Sequence, residues 1–183
     1  MSADISSVNQ SGSSIMRFVF KEEQAFKAAW FLTTCADPKH KPSLEKLAQL
    51  LYIVDRRSLI ETGFPLTGSQ IVLGTNGPVL QEFMDFSTAD WDKTFLNKVY
   101  NLKDAYSLDL LSNYFLRILQ DTYDQFGNLD EKELATWMKG NCPEGQVPIG
   151  EVIDPAIILE SEGMSEENIK YLKEEAEYYY QFS

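Results

Sequence analysis

The stretch KLAQLLYIVDRRSLIETGFPLTGSQIVLGTNGPV, residues 46–79, decides the fold. In its first half Leu47, Leu50, Leu51 and Val54, with Leu44 before them and Ile53 beside them, recur at the three-and-four spacing of one helical face. Ser43 is placed to cap that helix and Gly63 to end it, so the spacing predicts a helix from Leu44 to about Glu61. A stripe this wide marks the central helix of a core. Phe64-Pro65-Leu66-Thr67-Gly68 then reads as a turn, Gln70 to Leu73 as a short strand and Thr75-Asn76-Gly77-Pro78 as a second turn. Pro78 is expected in the first turn of a short helix, where its missing N–H costs nothing. Val79, Leu80, Phe83 and Met84 would form that helix's apolar side.

Working outward, residues 21–36 read as a helix with Phe26, Ala29, Trp30 and Thr33 on its inner face, stopping before Asp37-Pro38. Residues 87–93, with Trp91, are irregular, and Phe95 to Leu102 alternates weakly as a short strand does. Ser107 to Phe126 is a second long helix with Leu108, Leu111, Phe115, Ile118, Leu119 and Tyr123 inward, closed by Gly127-Asn128. Asp130 and Glu133 have capping-box spacing and open a short helix carrying Leu134, Trp137 and Met138. Gly140 to Gly150 is a loop, and Val152-Ile153 is extended. Asp154 caps a helix through Glu160 with Pro155 at its first position, and Ser165 caps the last helix, whose stripe is Ile169, Leu172, Ala176 and Tyr179. The expected fold is mainly α, a compact single-domain helical fold with a minor short β element. Residues 1–15 form a flexible, Ser-rich tail, and 16–183 form the domain.

The chain has 183 residues, enough to bury a core without staples. Its net charge of -12 argues against direct nucleic-acid binding, which needs clustered Lys and Arg, and suits a basic partner. Two cysteines, Cys35 and Cys142, have no metal or redox spacing, and Cys35 reads as a buried thiol. No apolar run approaches the ~20 residues of a membrane span. The first residues lack the basic and apolar regions of a signal peptide, so a cytoplasmic protein is expected.

Few residues in the chain have the spacing of a chemical site. The one histidine, His40, lies in a Lys-Pro-flanked loop and reads as a surface residue, with no G-x-S-x-G turn to present a nucleophile. Gly74 and Gly77 lack the spacing of a phosphate loop, and Asp121, Asp124 and Asn128 lack the Gly and Glu of a calcium loop. No residue is assigned to catalysis, a cofactor or a metal. Asp55-Arg56-Arg57 reads first as a charge pair on the helix surface. The functional alternative is a buried carboxylate ordering the next turn, or a contact for a basic partner. Tyr178-Tyr179-Tyr180-Gln181-Phe182 places four aromatics in five residues, which cannot all face one core. Tyr52, Asp55, Arg56, Tyr178, Tyr180 and Phe182 are the candidate partner-binding residues.

Lys46 to Asp55, then Gly63-Phe64-Pro65 and Leu66-Thr67-Gly68, then Ile71, Leu73 and Gly77-Pro78-Val79, resemble in order and spacing the Panacea, or SocA-like, antitoxin domain. Tyr123, Phe126-Gly127, Leu129 and Glu133-Leu134 resemble its second helix and the turn that follows. The likeness runs over roughly residues 22–145 and is strongest over 44–80. Gln49 departs from the usual Lys, and Leu73 from a small residue. Lys46, Gly63, Pro65, Gly68, Gly77, Pro78 and Val79 carry the motif as structural residues. The resemblance implies an antitoxin that binds and neutralises a toxin encoded beside it, and no enzyme. Its alternatives are an adaptor delivering the toxin to a Clp-type protease, a phage-associated or mobile-element accessory protein, and an enzyme reversing the toxin's modification. Partners would be the cognate toxin, a Clp-type protease under the adaptor alternative, or a second copy in a homodimer.

Overall fold

A computed structural model describes residues 14–36, 42–87 and 111–182. It is built around one enclosed helix. Helices α1 (Glu22–Cys35) and α2 (Leu44–Thr62) are followed by strands β1 (Ile71–Gly74) and β2 (Gly77–Leu80) and helix α3 (Gln81–Ser87). Helices α4 (Asn113–Phe126), α5 (Glu131–Asn141), α6 (Pro155–Ser161) and α7 (Glu166–Gln181) complete the order, with a 3-10 turn at Pro143–Gln146. The chain is mainly α. The expected strand at Phe95 to Leu102, Trp91, His40 and residues 107–110 lie outside the described residues; the second long helix starts at Asn113 and not at Ser107, because Ser112 is extended and its hydroxyl caps the Phe115 N–H.

Every residue from Leu47 to Asp55 is buried, so α2 is covered on all sides, by α1, α3, α4, α6 and β2. Its ends obey local chemistry. The Ser43 hydroxyl accepts from the Lys46 N–H, and Gly63 takes the left-handed conformation (φ 80°) while its N–H returns to the Leu59 carbonyl. The Asp130–Glu133 capping box forms as the spacing predicts, as do the caps at Asp154 and Ser165.

Several readings change. Pro78 lies in β2, not at a helix start; α3 begins three residues later. β1 and β2 pair antiparallel with Leu73 opposite Pro78. The Leu73 N–H and carbonyl both turn to the other side, bonding Glu151 and Gly150. Leu73–Pro78 is therefore a pair without ladder hydrogen bonds, and the missing proline N–H costs the sheet nothing. Residues 150–153 extend this hairpin as a third strand-like segment, with Val152 bridging Val72. On α1 the buried face is Ala25, Ala28, Ala29 and Leu32, while Phe26 and Trp30 are only half-buried at its flanks. Small residues at the contact let α1 lie close to α2 and α4. Cys35 is half-buried, not enclosed. Finally, α5 runs on to Asn141, into what the two prolines and Gly140 mark as loop.

Candidate partner-binding site

The motif residues hold turns. Lys46 points its ammonium at the end of α4, donating to the carbonyls of Gly127 at 2.8 Å and Leu129 at 2.5 Å. It thus satisfies carbonyls that the helix leaves without partners and adds a cation at the negative end of the helix dipole. Burial lowers the pKa of Lys46, opposed by the charges of Glu131, Asp130 and Glu133. Gln49 donates to the Asn76 carbonyl at 3.1 Å and so ties α2 to the hairpin turn.

Asp55 is fully buried and belongs to no surface charge pair. Its carboxylate accepts the Thr67 backbone N–H at 2.8 Å and the Thr67 hydroxyl at 2.5 Å. Burial pushes its pKa up to about 7, against the Thr67 hydrogen bonds and the charge of Lys21. From the other side Glu82 on α3 accepts from Ser69 and Gln70. Two carboxylates thus clamp the 66–70 turn. Its Thr67 carbonyl accepts the Lys21 N–H at 2.7 Å, and residues 14–20, which form no helix, run beside the turn as a strap. Gly68 is what permits this approach: a Cβ there would lie 2.2 Å from the Val19 carbonyl oxygen.

Tyr52 is enclosed as well. Its hydroxyl donates to Glu144 Oε1, which also accepts Arg56 Nε at 2.7 Å, and Arg56 Nη2 reaches Glu162 at 2.9 Å. Burial, with the charges of Cys142 and Glu144, holds the Tyr52 phenol well above its ordinary pKa. Burial disfavours the Arg56 cation, yet Glu144 and Glu162 overcome this and hold its pKa above the ordinary arginine value. The second Glu144 oxygen, Oε2, is buried with no hydrogen-bond partner. Burial pushes the thiols of Cys35 and Cys142 up, the reverse of what activates a nucleophile. Among the described residues no group of three His, Cys, Asp or Glu is placed to hold a metal ion.

Of the six residues proposed to meet a partner, the structure therefore puts Tyr52 and Asp55 inside the core, where they present no surface, and leaves Arg56 half-buried. The other three stand together at the end of α7: Tyr178 is 61% exposed, Tyr180 45% and Phe182 75%. The Tyr178 and Phe182 rings lie 4.9 Å apart. Tyr179 turns back and meets Phe64 edge-on at 6.2 Å, and Phe64 meets Phe18 in the same way at 5.9 Å. Phe18, Val19, Phe64, Pro65, Ala176 and Tyr179 line a mainly apolar groove of about 480 Å3, with Lys21 and Glu175 among its walls. The sequence reading missed Phe18 and Glu175. Only the periodicity of α7, which puts Ala176 and Tyr179 on one stripe, pointed towards them. A second, larger groove of about 780 Å3 runs between the hairpin turn, with Gly77 and Pro78, and the α5 face carrying Lys132, Thr136 and Lys139.

No helix among the described residues is long and apolar enough to cross a membrane. Comparison with curated proteins and with solved structures found no match. The model of one family, described as antitoxin SocA-like, Panacea domain, matches residues 47–144, more than half of the chain. That span runs from the first buried residue of α2 to Glu144, so it holds both carboxylates that anchor the α2 network. The chain belongs to the antitoxin SocA-like, Panacea domain family.

Proposed function

We propose that the protein is an antitoxin that binds its cognate toxin and neutralises it by direct, stoichiometric contact. The observation that carries this reading is the family membership, with the match spanning the enclosed helix and its turns. Two features of the fold support it. The chemistry-bearing side chains of the motif are spent on architecture: Asp55 on Thr67, Glu144 on Tyr52 and Arg56, Lys46 on two carbonyls. Exposed aromatics, which are favoured interface anchors, gather at one end of α7. The net charge of -12 further suits a basic partner. Inhibition by contact needs no turnover, only a surface that outcompetes the toxin's own target.

The test is co-expression with the product of the adjacent reading frame. Neutralisation gives growth together with intact toxin in a complex of fixed stoichiometry. If toxin levels fall, and fall only where a Clp-type protease is present, the adaptor role replaces neutralisation. Target that the toxin has modified and that stays modified beside the purified protein excludes a modification-reversing enzyme. Turnover of that modified target establishes one.

A further inference from the structure

We propose that the groove between the N-terminal strap, the Phe64-Pro65 turn and α7 is the docking site for a basic segment of the partner, one that seats an apolar side chain beside an arginine. This rests on the antitoxin reading and names the chemistry of the contact. The groove is apolar at its floor, with room for one or two large side chains, and Tyr179 forms one wall. Glu175 stands half-buried at its edge, and one and two turns on lie Tyr178 and Phe182, whose rings are largely open to solvent. Helix α7 carries five glutamates, Glu166, Glu167, Glu174, Glu175 and Glu177, against two lysines. Lys173 lies 3.2 Å from Asp154, and the exposed Lys170 lies 4.0 Å from Glu174. Among the described residues no cation pairs with Glu175 or Glu177. An open tyrosine face beside carboxylates is a surface for a guanidinium, which takes the ring by its face and the carboxylate by its N–H fork. Lys21, on the strap side, repels a cation and so fixes which way the basic segment lies. The same charge argues against a second copy as occupant, because two such helix ends would bring like charges together.

The probe is an acetylated five-residue amide peptide alternating arginine with tryptophan and leucine, titrated into the full chain and followed by amide NMR shifts. Saturable shifts at Phe64, Glu175 and Tyr179 are expected, weakening with added salt. The counterpart with glutamate in place of arginine should give none. Tyr179→Ala and Glu175→Gln, both at accessible positions and checked for an unchanged melting curve, should each weaken binding by about tenfold or more. The proposal is overturned if the glutamate peptide binds equally, if the shifts fall elsewhere, or if the chain sediments as a dimer that Phe182→Ser dissolves. The two variants are also tested for rescue from the adjacent toxin. If wild type and variants rescue alike, the docking site is wrong and the antitoxin reading stands. If wild type fails to rescue, that reading falls, and the titration alone decides the groove.

Discussion

At Asp55 a carboxylate is kept where water cannot reach it. Burial raises its pKa to about 7, so between about pH 4 and about pH 7 the folded chain holds a proton that the unfolded chain has lost. Stability from this group is therefore fully present below the unfolded value and is lost as pH rises through the folded one, by on the order of a few kcal/mol. Asp55→Asn should flatten that slope in urea melts taken across the window, because the amide needs no ionisation and still accepts the Thr67 N–H. Asp55→Ala orphans that buried N–H and should cost about 1–3 kcal/mol at any pH. At Gly68 the backbone has φ 68°, and a Cβ would collide with the Val19 carbonyl. Gly68→Ala should cost more than the ~1–2 kcal/mol of the left-handed conformation alone and should loosen the 14–20 strap to proteolysis. Neither effect was legible in full. The sequence marks Gly68 as a turn residue, but nothing local announces that another strand of backbone lies against it. Asp55 sits beside arginines, the pattern of an exposed pair, and of the two readings the sequence allowed it is the buried carboxylate ordering the next turn that formed.

Among the elements, those whose ends are set by neighbours in sequence were readable and those set by distant contacts were not. Ser43, Gly63, Asp130, Asp154 and Ser165 act within four residues, and each cap formed where its chemistry placed it. Asp130→Ala should accordingly cost about 1 kcal/mol, read as a lower melting temperature with α5 amides exchanging faster. Pro78 was misread because proline suits two places, the first turn of a helix and an unbonded position in a strand. Only the register against Leu73 decides between them. The Tyr52–Arg56–Glu144 network joins residues about ninety positions apart and had no sequence signal. It also sets a contrast between variants. Tyr52→Phe removes one donor and should cost on the order of 1 kcal/mol. Glu144→Ala leaves the half-buried Arg56 cation short of its nearer carboxylate and should cost about 3–5 kcal/mol. Equal losses in denaturant melts would mean that the network is not organised around Glu144.

Over the whole molecule, scaffold and recognition separate. Residues 46–79 identify the family, and the structure spends most of them on enclosure and turns: α2 is wrapped, Lys46 closes α4, Asp55 and Glu82 clamp the 66–70 turn. The groove proposed for a partner lies where that stretch meets others, with Phe64 and Pro65 from the motif, Phe18 from the strap and Tyr179 from α7. That convergence explains why the fold class could be read from spacing while the groove could not, since its walls come from three separate parts of the chain. The aromatic end of α7 was legible, because four aromatics in five residues cannot share one buried face. If contact alone neutralises the toxin, co-expression with the adjacent toxin in a host lacking Clp-type proteases restores growth, and intact toxin co-elutes with the protein at fixed stoichiometry. No rescue in that host, or rescue with no toxin in complex, would contradict neutralisation by contact.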